Sequence, residues 1–175
     1  MMTKSVMYGV RLGVLVVAWT FVMGFTGWYK DPTKLALFFL VIPLQIVVVL
    51  RCLAATARLG AGYGRQVGNG LVLSAVASVL IFCGSLLFTR VVFPNYFEDL
   101  KQAHAALLQK QGMTEADVQK TVDAAAEGQT SMSNALQGVA GTLGTGLVTA
   151  LISAIWMRSK SGANRPAPPE PNESA

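Results

Sequence analysis

Apolar residues along this chain are collected into four long runs that polar segments separate. The runs cover about residues 6–28, 35–57, 70–90 and 136–157. A helix of about 20 apolar residues crosses the roughly 30 Å hydrocarbon core of a bilayer. Each run reaches that length, the second one when Arg51 extends its guanidinium group to the lipid headgroups. The pattern predicts an all-α fold: an integral membrane four-helix bundle in residues 1–160, followed by a proline-rich, disordered tail in residues 161–175.

A polar segment, residues 93–131, separates the third run from the fourth, and its first half is typical of a helix. Asn95 and Glu98 fit a capping box, in which side chains bond the free N–H groups of the first turn. Gly112 supplies the left-handed residue that ends many helices. Between them, apolar residues recur at the i, i+3, i+4 spacing of one helix face: Leu100, Ala103, Leu107 and Leu108.

The second half of the polar segment repeats this pattern. Thr114 and Asp117 fit another capping box, and Gly128 ends the helix. Val118, Val122 and Ala125 form a narrow apolar stripe. Neither stripe is wide enough to form a core of its own. We therefore predict a helical hairpin over residues 95–128, whose helices pack on each other, on the membrane domain or on a partner.

Small residues mark the helix faces that we expect to pack inside the membrane, because close backbone approach replaces the missing hydrophobic drive in lipid. Gly9 and Gly13 form a G-x-x-x-G motif in the first run. The fourth run carries a longer stripe with one small residue every four positions: Gly138, Thr142, Gly146, Ala150 and Ala154. This small-residue stripe is predicted to face another helix, either in this chain or in a second copy.

Pro43 interrupts the second run. It removes the N–H that would bond the carbonyl of Phe39, so we expect a helix kink there. Gln45 is near enough to bond the freed carbonyl or a neighbouring helix. The pair is compatible with ordinary kinked packing and with a broken helix that lines a transport path. We favour kinked packing, because one proline and one amide are little support for a path.

Five glycines crowd residues 60–70, between the second and third runs. No G-x-G-x-x-G or G-x-x-x-x-G-K motif is present and no strand precedes them, so this stretch is not a phosphate-binding loop. We expect a flexible turn.

Composition and charge refine this picture. Of all residues 53% are hydrophobic and 13% charged, against about 25% charged in soluble domains. The net charge of +5 does not indicate nucleic-acid binding, because the basic residues lie at the ends of the runs. Residues 51–65 hold three arginines and no acid, and short basic loops favour the cytoplasm. Both termini are therefore predicted in the cytoplasm and the polar segment outside, with Arg11 at the inner boundary of the first run.

Residues with catalytic or metal-binding chemistry are few. Cys52 and Cys83 lie in or beside apolar runs without a C-x-x-C spacing, and we expect both to be buried structural residues. His104, the single histidine, has no set of ligands at a suitable spacing, and Asp99 and Glu115 are expected to be solvated. We predict no catalytic site, no metal, no cofactor and no enzyme activity.

The order of these pieces resembles a known family. The glycine-rich stretch leads into the third run, Phe-Pro-Asn-Tyr-Phe-Glu at 93–98 opens a charged helical pair, and the fourth run ends before Arg158. Over about residues 7–160 this is similar to the bacterial membrane proteins of the domain of unknown function family numbered 4199. The resemblance implies a small multi-pass protein of the bacterial inner (cytoplasmic) membrane. It implies no functional residues.

Two functions from different classes compete. A non-catalytic interaction or accessory module would engage a membrane-protein partner or a second copy through the hairpin and the small-residue faces. A small transporter or channel is the alternative, and its path would need polar or ionisable residues inside the bundle. The apolar runs contain no acid. We therefore favour the interaction module, with the lipid bilayer as its surroundings.

Overall fold

The computed structural model describes residues 2–162, with side chains as far as Trp156. Within them, six α-helices follow one another: α1 (Met2–Phe25), α2 (Val41–Ala57), α3 (Tyr63–Leu87), α4 (Tyr96–Lys110), α5 (Glu115–Ala126) and α6 (Ser131–Gly162). Two 3-10 segments, Trp28–Lys30 and Leu35–Leu40, connect α1 to α2, and a π-helical turn, Phe88–Val92, extends α3. No strand occurs in this part of the chain. The predicted tail lies outside the described residues, except that residues 161 and 162 end α6.

Four helical stretches are long and apolar enough to cross a membrane: Met2–Phe25, Leu35–Ala57, Tyr63–Val92 and Ser131–Trp156. This confirms the prediction of an all-α fold with four membrane-length helices. Large apolar side chains on their outer faces, including Val79, Val148 and Ile152, are more than half exposed. Lipid tails are as apolar as these side chains, so such faces are stable in a bilayer.

Helix α3 is the centre of the bundle. It packs most extensively on α6 and α1, while α2 lies chiefly against α6. Contacts of Gly70 with Ala150 and of Ser74 with Gly146 show that α3 and α6 run antiparallel. The core between the four long helices is made of fully buried side chains that include Leu12, Val49, Leu53, Leu73 and Ala77.

The predicted glycine-rich turn is wrong for most of its length, because α3 already begins at Tyr63. Only residues 58–62 connect α2 to α3, with Gly60 in the left-handed region at φ 77°. Gly70 lies inside α3, where an added Cβ would come within 2.6 Å of the Ala150 Cβ. The glycine at position 70 is therefore explained by close helix packing and not by a turn.

The second span changes its helix type before Pro43. A 3-10 segment, Leu35–Leu40, passes directly into α2 at Val41. Pro43 thus occupies the first turn of α2, where a missing backbone N–H costs no bond within the helix. The helix type therefore changes just upstream of the residue at which we predict the kink.

Helices α4 and α5 fill the polar segment. Gly112 and Gly128 follow them with φ values of 84° and 79°, the left-handed conformation that glycine adopts without strain. The Thr114 hydroxyl accepts a hydrogen bond from the Asp117 N–H at 3.4 Å, which caps α5. The predicted cap at Asn95 is wrong, because its side chain makes no capping hydrogen bond.

Candidate functional site

Polar and aromatic side chains converge where α4 meets the bundle. This is the end at which α1 and α3 finish and α6 begins, and we call it the α4 end. Its side chains come from the 3-10 segment after α1, from the π-helical turn and the residue that follows it, and from the start of α4. We call them the junction: Tyr29, Lys30, Phe88, Phe93, Tyr96 and Asp99.

Local sequence positions the first part of the junction. Gly27 has φ 67°, a left-handed conformation, and it turns the chain out of α1 so that Tyr29 and Lys30 follow at once. Tyr29 points inward and is 1% exposed. The rings of Phe88 and Phe93 lie in the space that a side chain at Gly24 would need. Glycine at that position therefore lets the aromatic residues approach α1.

The polar part of the junction is centred on one carboxylate. Tyr29 donates its hydroxyl hydrogen to Oδ2 of Asp99 at 2.7 Å. The Nζ atom of Lys30 lies 2.8 Å from the same oxygen and 5.5 Å from the centre of the Tyr29 ring. Asp99 is the fourth residue of α4. These contacts therefore attach the first turn of α4 to the segment that leaves α1.

The charges at this carboxylate stabilise each other. The hydrogen bond from Lys30 lowers the pKa of the Asp99 carboxyl, and the same bond raises the pKa of Lys30. Burial, followed by the hydrogen bond to Asp99, raises the pKa of the Tyr29 hydroxyl. Near neutral pH, Asp99 is therefore ionised, Lys30 is charged and Tyr29 is neutral.

The aromatic part of the junction also attaches α4 to the bundle. The ring of Phe88 lies 4.7 Å from that of Phe93 and 5.2 Å from that of Tyr96, and Tyr29 lies 5.2 Å from Tyr96. These separations are typical of stabilising aromatic pairs, each worth about 0.5–1.5 kcal/mol beyond area burial. Helix α4 is therefore anchored by apolar packing as well as by charge.

Helix α5 is held differently, because it packs chiefly on α4. Val118 and Val122 of α5 and Ala103 of α4 are all buried, and Lys101 pairs with Asp123 at 2.8 Å. The opposite side of α5 is exposed to solvent at Ala116, Lys120 and Ala124, and the exposed Glu127 follows directly after the helix. We call these four positions the outer face of α5.

A cavity of about 250 Å³ lies beneath Tyr96 and is lined by residues of all four membrane-length helices. Toward the α4 end its wall carries polar groups beside the rings of Phe38 and Phe88, and the Nδ2 atom of Asn134 donates to the Ser85 hydroxyl at 3.0 Å. One turn deeper the wall includes the apolar side chains of Val16 and Ile81. None of the lining residues carries a formal charge.

The small-residue stripe is covered by α2 and α3 of the same chain. Thr142 is 6% exposed, and Ala150 and Ala154 are fully buried. A Cβ at Gly138 would lie 3.3 Å from Ile81, and a Cβ at Gly146 would overlap the Ser74 hydroxyl. Of the two alternatives for the stripe, the chain itself supplies the neighbouring helix.

The other residues that the sequence analysis named lie within or on the helices. Added Cβ atoms at Gly9 and Gly13 would come within 3 Å of α3. Gln45 is buried and donates its Nε2 hydrogen to the Thr142 carbonyl at 2.6 Å, so it bonds the neighbouring helix. The exposed Arg11 lies 5.7 Å from the ring of Tyr8, and His104 is half-buried on α4.

Two expectations about single residues are wrong. Cys83 is exposed on α3, whereas Cys52 is buried. A thiol is a small, nearly apolar group, so an outward-facing position in a span is as suitable for it as the core. Asp99 is bonded to Tyr29 and Lys30 and is not merely solvated. One sequence signal could have indicated the bonds of Asp99. Tyr29 and Lys30 directly follow a span, and Asp99 lies in the first turn of the helix after another span that ends on the same side.

The sequence matches one family of known proteins. A family model described as "Protein of unknown function (DUF4199)" matches residues 7–159. No curated protein and no solved structure matches the chain. The family match includes the junction and nearly all of the four membrane-length helices, and it confirms the resemblance seen in the sequence. The protein therefore belongs to the DUF4199 family.

Proposed function

We propose that this protein is a non-catalytic membrane interaction module that presents the outer face of α5 to a partner. The bilayer holds the four long helices, and α4 carries α5 at one end of the bundle. In this proposal the membrane is the bacterial inner membrane, both termini lie in the cytoplasm, and α5 lies on the opposite side. The small-residue stripe, which is covered within the chain, plays no part in recognition.

The observation that carries the proposal is the difference between the two helices of the polar segment. Helix α4 is anchored to the bundle by Asp99, which bonds Tyr29 and Lys30, and by Tyr96, whose ring packs on Phe88. Helix α5 uses Val118 and Val122 for packing and leaves its other side exposed. Helix α5 is thus carried on an anchored helix and has a free face. This arrangement suits recognition, because little conformational entropy is lost on binding.

Charge indicates the kind of partner. Residues 115–127 contain four acidic side chains and one basic side chain, Lys120. Asp123 is paired with Lys101 of α4, whereas Glu115, Asp117 and Glu127 are exposed. The segment as a whole is therefore net negative, and a net negative helix attracts a basic surface and repels its own copy. The partner in this proposal is therefore a membrane protein with a basic surface on the same side of the bilayer, and not a second copy of this chain.

Affinity purification in mild detergent tests the proposal. In Ala116→Arg/Ala124→Arg, two bulky cations on the outer face of α5 should reduce capture of the partner at least tenfold, and capture of the partner by the unaltered protein should weaken as salt rises. The matched control is Gln102→Arg/Gln109→Arg, which adds the same charge at exposed positions of α4. Equal capture by both double variants would contradict the proposal.

Transport is the second candidate, and one observation favours it. Among the described residues, the hydroxyls of Ser74 and Ser78, Nδ2 of Asn69 and Oε1 of Gln66 are buried on α3 without a hydrogen-bond partner. Buried polar atoms of this kind commonly bind water. We place transport second because the amide of Gln45 is already bonded to α6. Solute flux through reconstituted protein that Gln45→Ala abolishes would reverse this order.

A further inference from the structure

The cavity at the α4 end has the polarity of a binding site for one class of molecule. Its volume is about 250 Å³. A cavity of about 150 Å³ accommodates benzene, so this one has room for about ten non-hydrogen atoms. It is smaller than most drug-sized sites, which occupy about 300–1,000 Å³. A small molecule, or one end of a longer one, would fill it.

The wall of the cavity carries more of its polar groups toward the α4 end than deeper in the bundle. α1 and α3 both run toward the α4 end, and α6 runs away from it. Val16 and Ile81 therefore lie one turn deeper than the polar residues of the same helices. On α6, Gly138 lies one turn deeper than Asn134. We call the polar groups the polar ring: Thr20, Ser85, Tyr96 and Asn134 lie toward the α4 end, where Phe38 and Phe88 also line the cavity, and Gln137 lies about one turn deeper on α6, beside Gly138.

Several hydrogen-bonding groups of this ring are not used within the protein. The Thr20 hydroxyl bonds the carbonyl of Val16 in its own helix, and Asn134 uses Nδ2 for Ser85. Among the described residues, the Asn134 side-chain carbonyl, the Gln137 amide and the Tyr96 hydroxyl make no hydrogen bond. Carboxamides both donate and accept, so they recognise hydroxyl and carbonyl groups.

Charged ligands are disfavoured. No formal charge lines the cavity to balance one, and placing an unpaired ion in such a site costs several kcal/mol. Burial raises the pKa of Tyr96 to about 12, so its hydroxyl stays neutral and remains a donor at physiological pH.

We propose that this cavity binds a neutral amphiphile, with a hydroxyl or carbonyl head in the polar ring and an aliphatic body against Val16 and Ile81. The proposal is independent of the outer face of α5. A neutral bilayer lipid and a free aliphatic alcohol share this chemistry. 1-Octanol, with nine non-hydrogen atoms, matches the volume and serves as the probe.

Photolabelling in nanodiscs tests the proposal. An eight-carbon alcohol with a diazirine in its chain should label the cavity residues, and excess 1-octanol should prevent that labelling. The corresponding eight-carbon carboxylate should not label them, although it reaches lipid-facing residues such as Val148. Equal labelling of the cavity by both probes, or labelling confined to lipid-facing residues, would overturn the proposal.

Two variants separate binding from folding. Gln137→Leu removes head-group hydrogen bonding at an exposed residue and should reduce labelling about fivefold, the equivalent of one hydrogen bond of about 1 kcal/mol. Val41→Phe fills part of the cavity and should reduce labelling without lowering the thermal unfolding temperature. Gln102→Leu on α4 is the control and should leave labelling unchanged. Labelling that neither cavity variant reduces would also contradict the proposal.

Native mass spectrometry identifies the source of the amphiphile. A co-purified neutral lipid that 1-octanol displaces would mean that the bilayer supplies the occupant. Octanol binding with no co-purified lipid would mean that a free amphiphile supplies it. A co-purified anionic lipid that 1-octanol displaces would overturn the neutral class itself.

Discussion

At the scale of single residues, the contact of α6 with α3 depends on a missing side chain. A Cβ at Gly146 would overlap the Ser74 hydroxyl and lie 2.8 Å from the Ser74 Cβ. Ser74 is fully buried, and its Cβ keeps that distance whichever way the hydroxyl turns. Gly146→Ala should therefore destabilise the protein by about 1–3 kcal/mol, as overpacking does in a close-packed interior.

A second substitution distinguishes this steric account from an effect on helix propensity. Ser74→Gly should restore part of the stability that Gly146→Ala removes, because the two atoms in conflict would both be gone. Gly144→Ala is the control, since no atom lies within 4 Å of its Cβ position, and it should be no less stable than the unaltered protein. The account would be wrong if Gly144→Ala and Gly146→Ala lowered the unfolding temperature equally.

The Asp99 carboxylate gives the junction a defined pH dependence. Its pKa is lowered from 3.8 by the hydrogen bond from Lys30, so the stabilisation is complete above that value and is lost as pH falls through the lowered pKa. Lys30 and Tyr29 have raised pKa values, so their contribution is lost only in strong base. The unfolding temperature of the unaltered protein should exceed that of Asp99→Asn by a constant amount from about pH 5 to 9. The difference should shrink below about pH 4. A difference that grows in acid would contradict this assignment.

Residue roles that depend on distant partners were not predictable from the sequence. Asp99 and Tyr29 are 70 positions apart, and no local pattern joins them. Gln45 was a predicted helix-bonding residue, but its acceptor lies 97 positions away on α6. By contrast, the left-handed glycines at 112 and 128 follow from local rules about how helices end, and the structure has them at φ 84° and 79°.

At the scale of elements, α5 should loosen independently of α4. Val122→Ala removes two buried methyl groups, equivalent to roughly 1.5 kcal/mol, from a helix that packs chiefly on α4. Hydrogen exchange in α5 should accelerate about tenfold while the first turn of α4, held by the junction, stays protected. Thr121→Ala at a neighbouring exposed position should change neither. Equal acceleration of both helices after Val122→Ala would show that they open as one unit.

The boundaries of helices could be predicted where local side-chain contacts determine them. Thr114 caps α5 as its sequence predicts. Residues 35–40 are apolar and gave no sign of a 3-10 helix, and glycines 64, 68 and 70 suggested a turn where α3 is already helical. For Gly70 the reason is tertiary, because Ala150 of a helix far away in sequence needs the space that a side chain would fill.

At the scale of the whole molecule, four membrane-length helices were predictable because length and apolarity alone determine them. The proposed orientation of the bundle rests on residues 51–65, which hold three arginines and no acid. In a background without Cys52 and Cys83, a cysteine at the exposed Gln111 should react with an impermeant thiol reagent added outside the cell. A cysteine at Arg58 should react only from the cytoplasm. Labelling of position 111 only from the cytoplasm would reverse the topology.

The central claim, that the outer face of α5 contacts a partner, is tested most directly in intact cells. A photo-crosslinking amino acid at Lys120 or Ala124 should give an adduct of defined mass with another membrane protein. The same amino acid at the exposed Gln109 of α4 should not. Adducts of equal yield from all three positions, or none from Lys120 and Ala124 above the level at Gln109, would contradict the claim.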